Sequence, residues 1–340
     1  MSSAAGIVLA GGRSSRMGTP KAALEWHGST LLRRTVAILG RATGGPVIVV
    51  RAAGQDLPEL PAHVDVVDDP REGLGPVQGL AAGLAAIAGR AEVAFVCSTD
   101  LPFLHPAFVR RVLLATGGAD VGLPVARGFR QPLAAAYAAA LAPVAERLAA
   151  CGRLRPAFLL EEAAVVRLDE AALRADPVLA ALDPGLDSVV NVNEPGEYRA
   201  ARARPAPEVT IQRLGALADG RDGHGHDDWR TARAATVAGA AAAAGLVMDG
   251  HVVAVLNDGQ STTDGQTPLV TGDSVVFRQA CRSGRRAVQA AASDRRPRHA
   301  RAANATMNTN IATPPSTKRF QLISWMPCRW KISVIGCRPT

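Results

Sequence analysis

Short apolar runs alternate with longer amphipathic stretches along the first 200 residues. The runs are rich in β-branched side chains and lie at residues 7–10, 47–50, 64–67 and 93–97. Runs of this kind are typical of strands that are covered on both faces of a parallel sheet. The stretches at residues 30–41 and 79–88 have the spacing of helices that cross between such strands. This order predicts an α/β domain with a mostly parallel sheet and helices on both faces.

The pattern continues with further elements and then stops at a proline-rich boundary. We predict strands at residues 118–124 and 131–138, helices at 141–150 and 154–161, and a late strand at 188–192. Pro205 and Pro207 interrupt the periodicity and mark a linker. The predicted organisation is a first domain at 1–203, a linker at 204–207, a small domain at 208–277 and a tail at 278–340.

The small domain has its own sequence of elements. A strand-like segment begins at residue 208, an alanine-rich stretch at 231–244 favours a helix, and strands are predicted at 246–248, 251–256 and 274–277. About 70 residues are enough for an independent α+β fold. His224, His226, Asp227 and Asp228 lie in a glycine-rich stretch, which favours a solvated loop over a metal site.

The positive charge of the chain is concentrated in the tail. Residues 278–340 contain 13 of the 38 Lys and Arg residues but one of the 30 Asp and Glu residues, which leaves 25 basic and 29 acidic residues before them. A basic protein often binds nucleic acid, but here that argument applies to the tail alone. The tail has no sustained periodicity, and we predict that it is disordered or translated in an aberrant frame.

The composition also indicates in which cellular compartment the protein works. The five cysteines have no paired spacing, which argues against a disulfide framework or a zinc site. No apolar stretch is long enough to span a bilayer, and the N-terminus lacks a signal-peptide pattern. We therefore expect a cytoplasmic protein without a membrane partner.

A glycine-rich loop follows the first predicted strand. It combines glycines, a hydroxyl and fixed positive charge: Gly11, Gly12, Arg13, Ser14, Arg16 and Gly18, followed by Lys21. Glycines let several backbone N–H groups point into one concavity, and such a concavity binds phosphate. The spacing is neither that of a P-loop nor that of a dinucleotide fingerprint. The alternative is an ordinary flexible loop with solvated arginines.

Residues 9–21 resemble the signature of nucleotidyltransferases related to molybdenum cofactor guanylyltransferase. Four further stretches resemble the same family in the same order, at residues 67–70, 75–80, 98–102 and 191–195. The resemblance covers the chain to about residue 200. It implies a Rossmann-like sheet and the transfer of a nucleotide from a nucleoside triphosphate to a phosphate.

The residues give this resemblance a chemical meaning. Asp100 ends an apolar strand, at the sheet edge where α/β proteins bind ligands, and a carboxylate there can hold Mg²⁺ beside a triphosphate. The alternatives are that Asp100 caps a helix, that Asp69 opens a turn before Pro70, and that Asn193 forms a turn before Pro195. The resemblance assigns nucleotide binding to Leu9, Ala10, Gly11, Gly12, Arg13, Ser14, Gly18, Lys21, Asp69, Gly75 and Asp100. It assigns catalysis to Lys21, Arg16 and Asp100, and it adds Asn193 to Asp100 as a metal ligand.

Five further residues are candidates for the site. On the resemblance, Gln131 and Pro132 belong to the acceptor pocket. Arg153 and Arg155 precede a predicted helix, where they can meet the phosphate of the acceptor or remain solvated. Asn191 shares a face with Asn193 if both lie on a strand.

The implied reaction transfers GMP from GTP to the terminal phosphate of the molybdenum cofactor and releases pyrophosphate. GTP and the molybdenum cofactor are the expected small-molecule substrates, and maturation proteins of molybdoenzymes are expected partners. Gly11 favours the guanylyl branch, because the cytidylyl branch more often has alanine there. The alternatives are a cytidylyltransferase for the same cofactor, a sugar-phosphate nucleotidyltransferase, and a protein that binds nucleic acid through the tail.

The segment at 208–277 resembles the small β-grasp sulfur carriers of molybdopterin synthesis. The matching stretches lie at residues 252–257, 264–269 and 271–277. A working carrier ends in Gly-Gly, whereas Phe277 is followed by Arg278 and Gln279. We therefore predict a degenerate β-grasp domain without sulfur-carrier activity.

Overall fold

The computed structural model describes residues 4–11, 20–69, 75–218, 229–257 and 259–280. All of these residues fall in one compact unit, Met1–Arg285. Most of the glycine-rich loop, the histidines at 224 and 226 and the tail from residue 281 lie outside the described residues. The predicted division into domains at residues 203 and 208 stays a prediction.

The described strands, in chain order, are β1 (Ala4–Leu9), β2 (Glu25–Trp26), β3 (Ser29–Thr30), β4 (Gly44–Ala52), β5 (Asp65–Asp69), β6 (Val93–Ser98), β7 (Val121–Ala126), β8 (Phe129–Arg130), β9 (Ala134–Ala138), β10 (Val165–Leu168), β11 (Glu208–Arg213), β12 (Arg230–Arg233), β13 (Val252–Leu256), β14 (Gln260–Thr262) and β15 (Ser274–Gln279). The described α-helices are α1 (Leu31–Thr43), α2 (Pro76–Ala86), α3 (Pro106–Ala115), α4 (Ala142–Ala150), α5 (Pro156–Glu161), α6 (Glu170–Arg174), α7 (Pro177–Leu182), α8 (Pro195–Arg202) and α9 (Val237–Ala243).

The first sheet has the strand order β10-β7-β9-β6-β1-β4-β5, with β8 paired to β7. Strand β1 pairs in parallel with β4 and β6, and β4 pairs in parallel with β5. Strand β9 runs antiparallel to both β6 and β7, so β7 runs in the direction of β6. The predicted α/β fold with a mostly parallel sheet is confirmed.

Helices cover both faces of this sheet because side chains alternate along each strand. Val8 points into a core that includes residues of α1 and α3, whereas Ile7 and Leu9 point into a core with residues of α2, α4 and α5. Strands buried on both faces carry apolar side chains at consecutive positions. This explains why the strands at the centre of the sheet were predictable from their apolar runs.

The predicted late strand at residues 188–192 is wrong. Asp187–Val189 form a 3₁₀ turn, and the chain then runs extended to α8 without joining a sheet. The apolar residues there are buried for another reason: Val192 packs in a small core with Trp26, Leu31 and Ala201.

Residues 208–280, which we call the C-terminal module, form a second sheet with the order β12-β11-β15-β13-β14. Strands β11 and β12 form an antiparallel hairpin, and α9 contributes to the core of the module. Two predictions fail here: residues 231–233, at the start of the predicted helix, belong to strand β12, and residues 246–248 are irregular. The likeness of this module to sulfur carriers stays a prediction.

The C-terminal module packs on α1 through residues 268–273, which we call the docking loop. The loop connects the irregular segment after β14 to β15, and its residues Leu269, Val270 and Asp273 are buried. In the part of the chain that the structure describes, no helix is long and apolar enough to cross a membrane.

Candidate active site

Three side chains from distant parts of the sequence meet at the carboxyl edge of the first sheet. Lys21 Nζ donates hydrogen bonds to Asp100 Oδ2 at 2.9 Å and to Asn193 Oδ1 at 2.9 Å. The side chains of Lys21 and Asp100 are 20% and 14% exposed, so this ion pair is partly withdrawn from water. A charged pair in such a setting interacts more strongly than one on an open surface.

The sheet itself brings the first two of these elements together. Leu9, at the end of β1, lies opposite Ser98, at the end of the parallel strand β6. The chain leaving each strand therefore begins at the same edge, which is where ligands bind in open α/β sheets. Lys21 follows the glycine-rich loop in a 3₁₀ turn, Lys21–Ala23, and Asp100 comes two residues after β6.

Asp100 is fixed by contacts on its side chain and its backbone. Ser98 Oγ donates to Asp100 Oδ1, and the backbone N–H of Val192 donates to the carbonyl of Asp100 at 2.9 Å. Ser98 was not among the predicted site residues. The sequence gives a signal for it, because Ser98 ends the apolar strand only two positions before Asp100.

Asn193 is held by the start of α8. Its backbone N–H donates to Glu197 Oε2 at 2.7 Å, and Glu194 and Glu197 form a reciprocal capping box. A capping box fixes the entry of the chain into a helix, so the amide of Asn193 is oriented before any ligand binds. Asn191 is exposed and Asn193 is half-buried, and residues 190–193 belong to no strand, so the condition on which the two were expected to share a face is not met.

Asp69 ends β5 beside the first turn of α2. A Cβ atom on Gly79 would lie 3.9 Å from Asp69 Oδ2 and 3.4 Å from Leu9 Cδ2, so the helix backbone passes close to both predicted nucleotide-binding residues. Gly75 caps this helix at φ = 80° and passes close to the carbonyl of Leu154. That backbone conformation and that approach favour glycine.

Gln55 joins the ends of β1 and β4 at the same edge. Its Nε2 donates to the carbonyl of Ala10 at 3.1 Å, and its Oε1 accepts from the N–H of Ala52 at 3.0 Å. A Cβ atom on Gly11 would lie 3.3 Å from the backbone nitrogen of Ala52, which leaves little room for a side chain. Gln55 is a second site residue that sequence reasoning missed, and nothing in its surroundings in the sequence marks it.

Two of the candidates for the acceptor pocket, Arg153 and Gln131, contact other residues of the protein. Arg153 pairs with Glu161 and Glu162 and stacks over the ring of Phe158 at 4.4 Å. Gln131 Nε2 donates to the carbonyl of Ala126 at 3.1 Å and so closes the hairpin after β7. Other predicted loop residues lie outside the described residues: Gly12, Arg13, Ser14, Arg16 and Gly18.

The donor atoms at this edge fit a magnesium ion. Asp100 and Asn193 contribute carboxylate and amide oxygens, which are hard ligands, and the ammonium group of Lys21 already bridges them as a cation. Among the described residues no group of three or more His, Cys, Asp or Glu side chains is arranged around a metal position. Two oxygen ligands of this kind suit Mg²⁺, which is usually held by one or two protein oxygens together with phosphate oxygens and water.

The chain is similar to a known protein family and to curated proteins from several organisms. The family described as MobA-like NTP transferase domain matches residues 6–170. A Mycobacterium tuberculosis (H37Rv) protein named probable molybdenum cofactor guanylyltransferase is 39% identical over 171 residues, which are 48% of this chain and 82% of that protein. A Methanosarcina mazei protein of the same name is 32% identical over 200 residues, which are 55% of this chain and 84% of that protein.

Solved structures resemble the chain as well. The structure of molybdopterin-guanine dinucleotide biosynthesis protein A from Archaeoglobus fulgidus covers 58% of this chain and 96% of its own, with a TM-score of 0.46 and 22% identity.

The fold and the curated relatives together define the class of the protein, which is a nucleotidyltransferase. The chain belongs to the MobA-like family of NTP transferases. The family predicted from residues 9–21 and the four later stretches is therefore confirmed.

Proposed function

We propose that this protein transfers GMP from GTP to the terminal phosphate of the molybdenum cofactor and releases pyrophosphate, in the cytoplasm and with Mg²⁺. The observation that supports this proposal is the cluster of Lys21, Asp100 and Asn193 at the carboxyl edge of the sheet. The names of the relatives support the acceptor and the guanine base, because both curated relatives are named molybdenum cofactor guanylyltransferases.

In this proposal the protein acts by position and charge. An oxygen of the acceptor phosphate attacks the α-phosphorus of GTP, the bond to the bridging oxygen breaks, and its electron pair leaves with pyrophosphate. Lys21 and Arg16 offset the negative charge on the phosphates, and Asp100 with Asn193 would hold Mg²⁺, which supplies further positive charge when bound. The acceptor phosphate is already ionised near neutral pH, so the reaction needs no general base.

The first experiment identifies the nucleotide. The purified full-length chain is incubated with the molybdenum cofactor, Mg²⁺ and one of GTP, CTP, ATP or UTP, and pyrophosphate release is measured. We expect release with GTP. Release with CTP alone would replace the guanylyl assignment by a cytidylyl one, and release that requires a sugar phosphate as acceptor would reject the molybdenum cofactor.

The second experiment tests the cluster itself. We expect Lys21→Ala and Asp100→Ala each to lower kcat by a factor on the order of 100 or more, since Lys21→Ala removes a positive charge beside the transferred phosphates and Asp100→Ala removes a ligand of Mg²⁺. Arg90→Ala is the matched control, because it breaks the exposed pair of Arg90 with Asp65 (2.6 Å) on the same sheet. Circular dichroism confirms that all three variants are folded. Near-normal turnover in either cluster variant contradicts the proposed roles.

A further inference from the structure

The docking loop of the C-terminal module reaches the segment that carries Asp100. This segment runs from Asp100 to His105, between the end of β6 and the start of α3. It has little regular structure of its own, and one bond within it runs from the N–H of Leu104 to the carbonyl of Leu101 at 3.2 Å. Its position therefore depends on contacts with neighbouring elements.

Arg34 of α1 links the docking loop to this segment. Its Nε donates to the carbonyl of Pro102 at 2.7 Å, and its Nη1 donates to the carbonyl of Leu269 in the docking loop at 3.2 Å. The residue is 6% exposed, and burial together with the nearby Arg41 lowers its pKa to about 10, so it stays charged near neutral pH. A guanidinium group can serve two carbonyls at fixed angles, which an ammonium group cannot do equally well.

His105 makes a second link at the other end of the segment. Its Nδ1 accepts the backbone N–H of Ala107 at 3.1 Å and so caps α3. The ring proton therefore lies on Nε2, which donates to the carbonyl of Thr271 in the docking loop at 3.1 Å. The docking loop thus holds the segment after Asp100 at two points.

The docking loop is itself fixed on α1. Arg41 Nη1 donates to the carbonyl of Pro268 at 3.1 Å, and Nη2 pairs with Asp273. The other carboxylate oxygen of Asp273 accepts the N–H of Val270 at 2.9 Å, which closes the loop on itself. The loop is therefore a rigid support for whatever it contacts.

We propose that the docking loop, acting through Arg34 and His105, positions Asp100 for nucleotide transfer, so that the C-terminal module is a working part of the enzyme. The inference rests on the proposed catalytic role of Asp100. Arg34 is then a positioning residue, which touches neither substrate nor metal. Its effect passes through the carbonyl of Pro102, two residues after Asp100.

The test compares two changes at the same interface in the full-length chain. Arg34→Met removes both bonds to Pro102 and Leu269. Asp264→Asn is the matched control, because it breaks the pair of Asp264 with Arg33 on the same helix (2.7 Å) without touching the Asp100 segment. We expect Arg34→Met to lower kcat about tenfold or more, since small displacements of a reacting group are costly, while KM for the nucleotide changes less than twofold.

A conservative variant and a second measurement keep the test decisive. Arg34→Lys keeps the charge and can reach one of the two carbonyls, so it should recover part of the lost kcat. Hydrogen exchange of the backbone amides of residues 99–105 should be faster in Arg34→Met than in the wild type, and unchanged in Asp264→Asn. If Arg34→Met does not fold, the comparison of Arg34→Lys with Asp264→Asn gives the answer by the same measurements.

The outcomes separate the two proposals. A folded Arg34→Met with wild-type kcat and wild-type exchange at residues 99–105 overturns the positioning role. Equal losses of kcat in Arg34→Met and Asp264→Asn also overturn it, because they indicate a general weakening of the interface. If the wild type turns over no nucleotide, the proposed function fails, and the exchange of residues 99–105 alone decides whether the docking loop orders them.

Discussion

Asp273 carries a buried negative charge at the interface between α1 and the C-terminal module. Its side chain is 5% exposed and pairs with Arg41, which is 7% exposed. It also accepts hydrogen bonds from Asn257 Nδ2 and from the N–H of Val270, both at 2.9 Å. Asp273→Ala removes all three contacts and leaves the guanidinium charge of Arg41 buried without its carboxylate.

The loss of stability expected for Asp273→Ala follows from the burial of this ion pair. Removing one partner of a buried ion pair typically destabilises a protein by about 3–5 kcal/mol. Asp264→Asn breaks the neighbouring pair with Arg33, but Asp264 is 40% exposed, and pairs in contact with water contribute about 1 kcal/mol or less. We therefore expect Asp273→Ala to lower the free energy of unfolding several times more than Asp264→Asn does.

The assay is urea unfolding of the full-length chain, followed by circular dichroism at pH 7. A double variant, Arg41→Met with Asp273→Asn, removes both charges and keeps an oxygen for the N–H of Val270. Its loss should be smaller than the sum of the losses of Arg41→Met alone and Asp273→Asn alone by about 0.5–3 kcal/mol, as for residues in direct contact. A loss below about 1 kcal/mol for Asp273→Ala, or strict additivity in the double variant, would refute the argument that this pair is buried and coupled.

Two further predictions concern packing and pH. Gly83→Ala should cost about 1–3 kcal/mol in urea unfolding, because the new Cβ would lie 2.6 Å from Cγ2 of Ile7 in the core; an unchanged midpoint would contradict this packing. Burial lowers the pKa of His105 below its ordinary 6.5, although Asp273 and Asp183 oppose the shift. The unfolded chain therefore binds the proton more readily, so stability falls as the pH drops below about 6.5. In His105→Asn the free energy of unfolding should fall less between pH 7 and 5.5 than in the wild type. A pH profile identical to that of the wild type would contradict the role of His105 in this pH dependence.

The sequence was most informative about the centre of the first sheet. Strands β1, β4 and β6 are buried on both faces, so their apolar runs stand out. Helix α3 was missed: its cap is a histidine rather than a typical Ser, Thr, Asp or Asn, although Pro106 at its first position is a common helix start. Residues 231–233 were predicted as helix, but their pairing with β11 makes them part of a strand, and pairing with a distant strand has no local signal.

The residues of the site also differ in how well the sequence predicts them. Lys21 and Asp100 were predictable together, because both follow strands that end at one edge of a parallel sheet. Asn193 entered through the family resemblance, and residues 188–192 before it were wrongly predicted to form a strand. Arg34 and Arg41 gave no sign of their role, because arginines on an amphipathic helix are usually solvated.

The hydrogen bonds of Lys21 also determine when the cluster can form during synthesis of the chain. Its two partners lie 79 and 172 positions further along the chain. Synthesis proceeds at about 5–20 residues per second, so roughly 10–35 s separate the appearance of Lys21 from that of Asn193 on the ribosome. A nascent chain that already contains the glycine-rich loop and most of the sheet still lacks the complete cluster. With the role proposed for this cluster, nucleotide transfer has to wait at least until the first 193 residues have emerged and folded together.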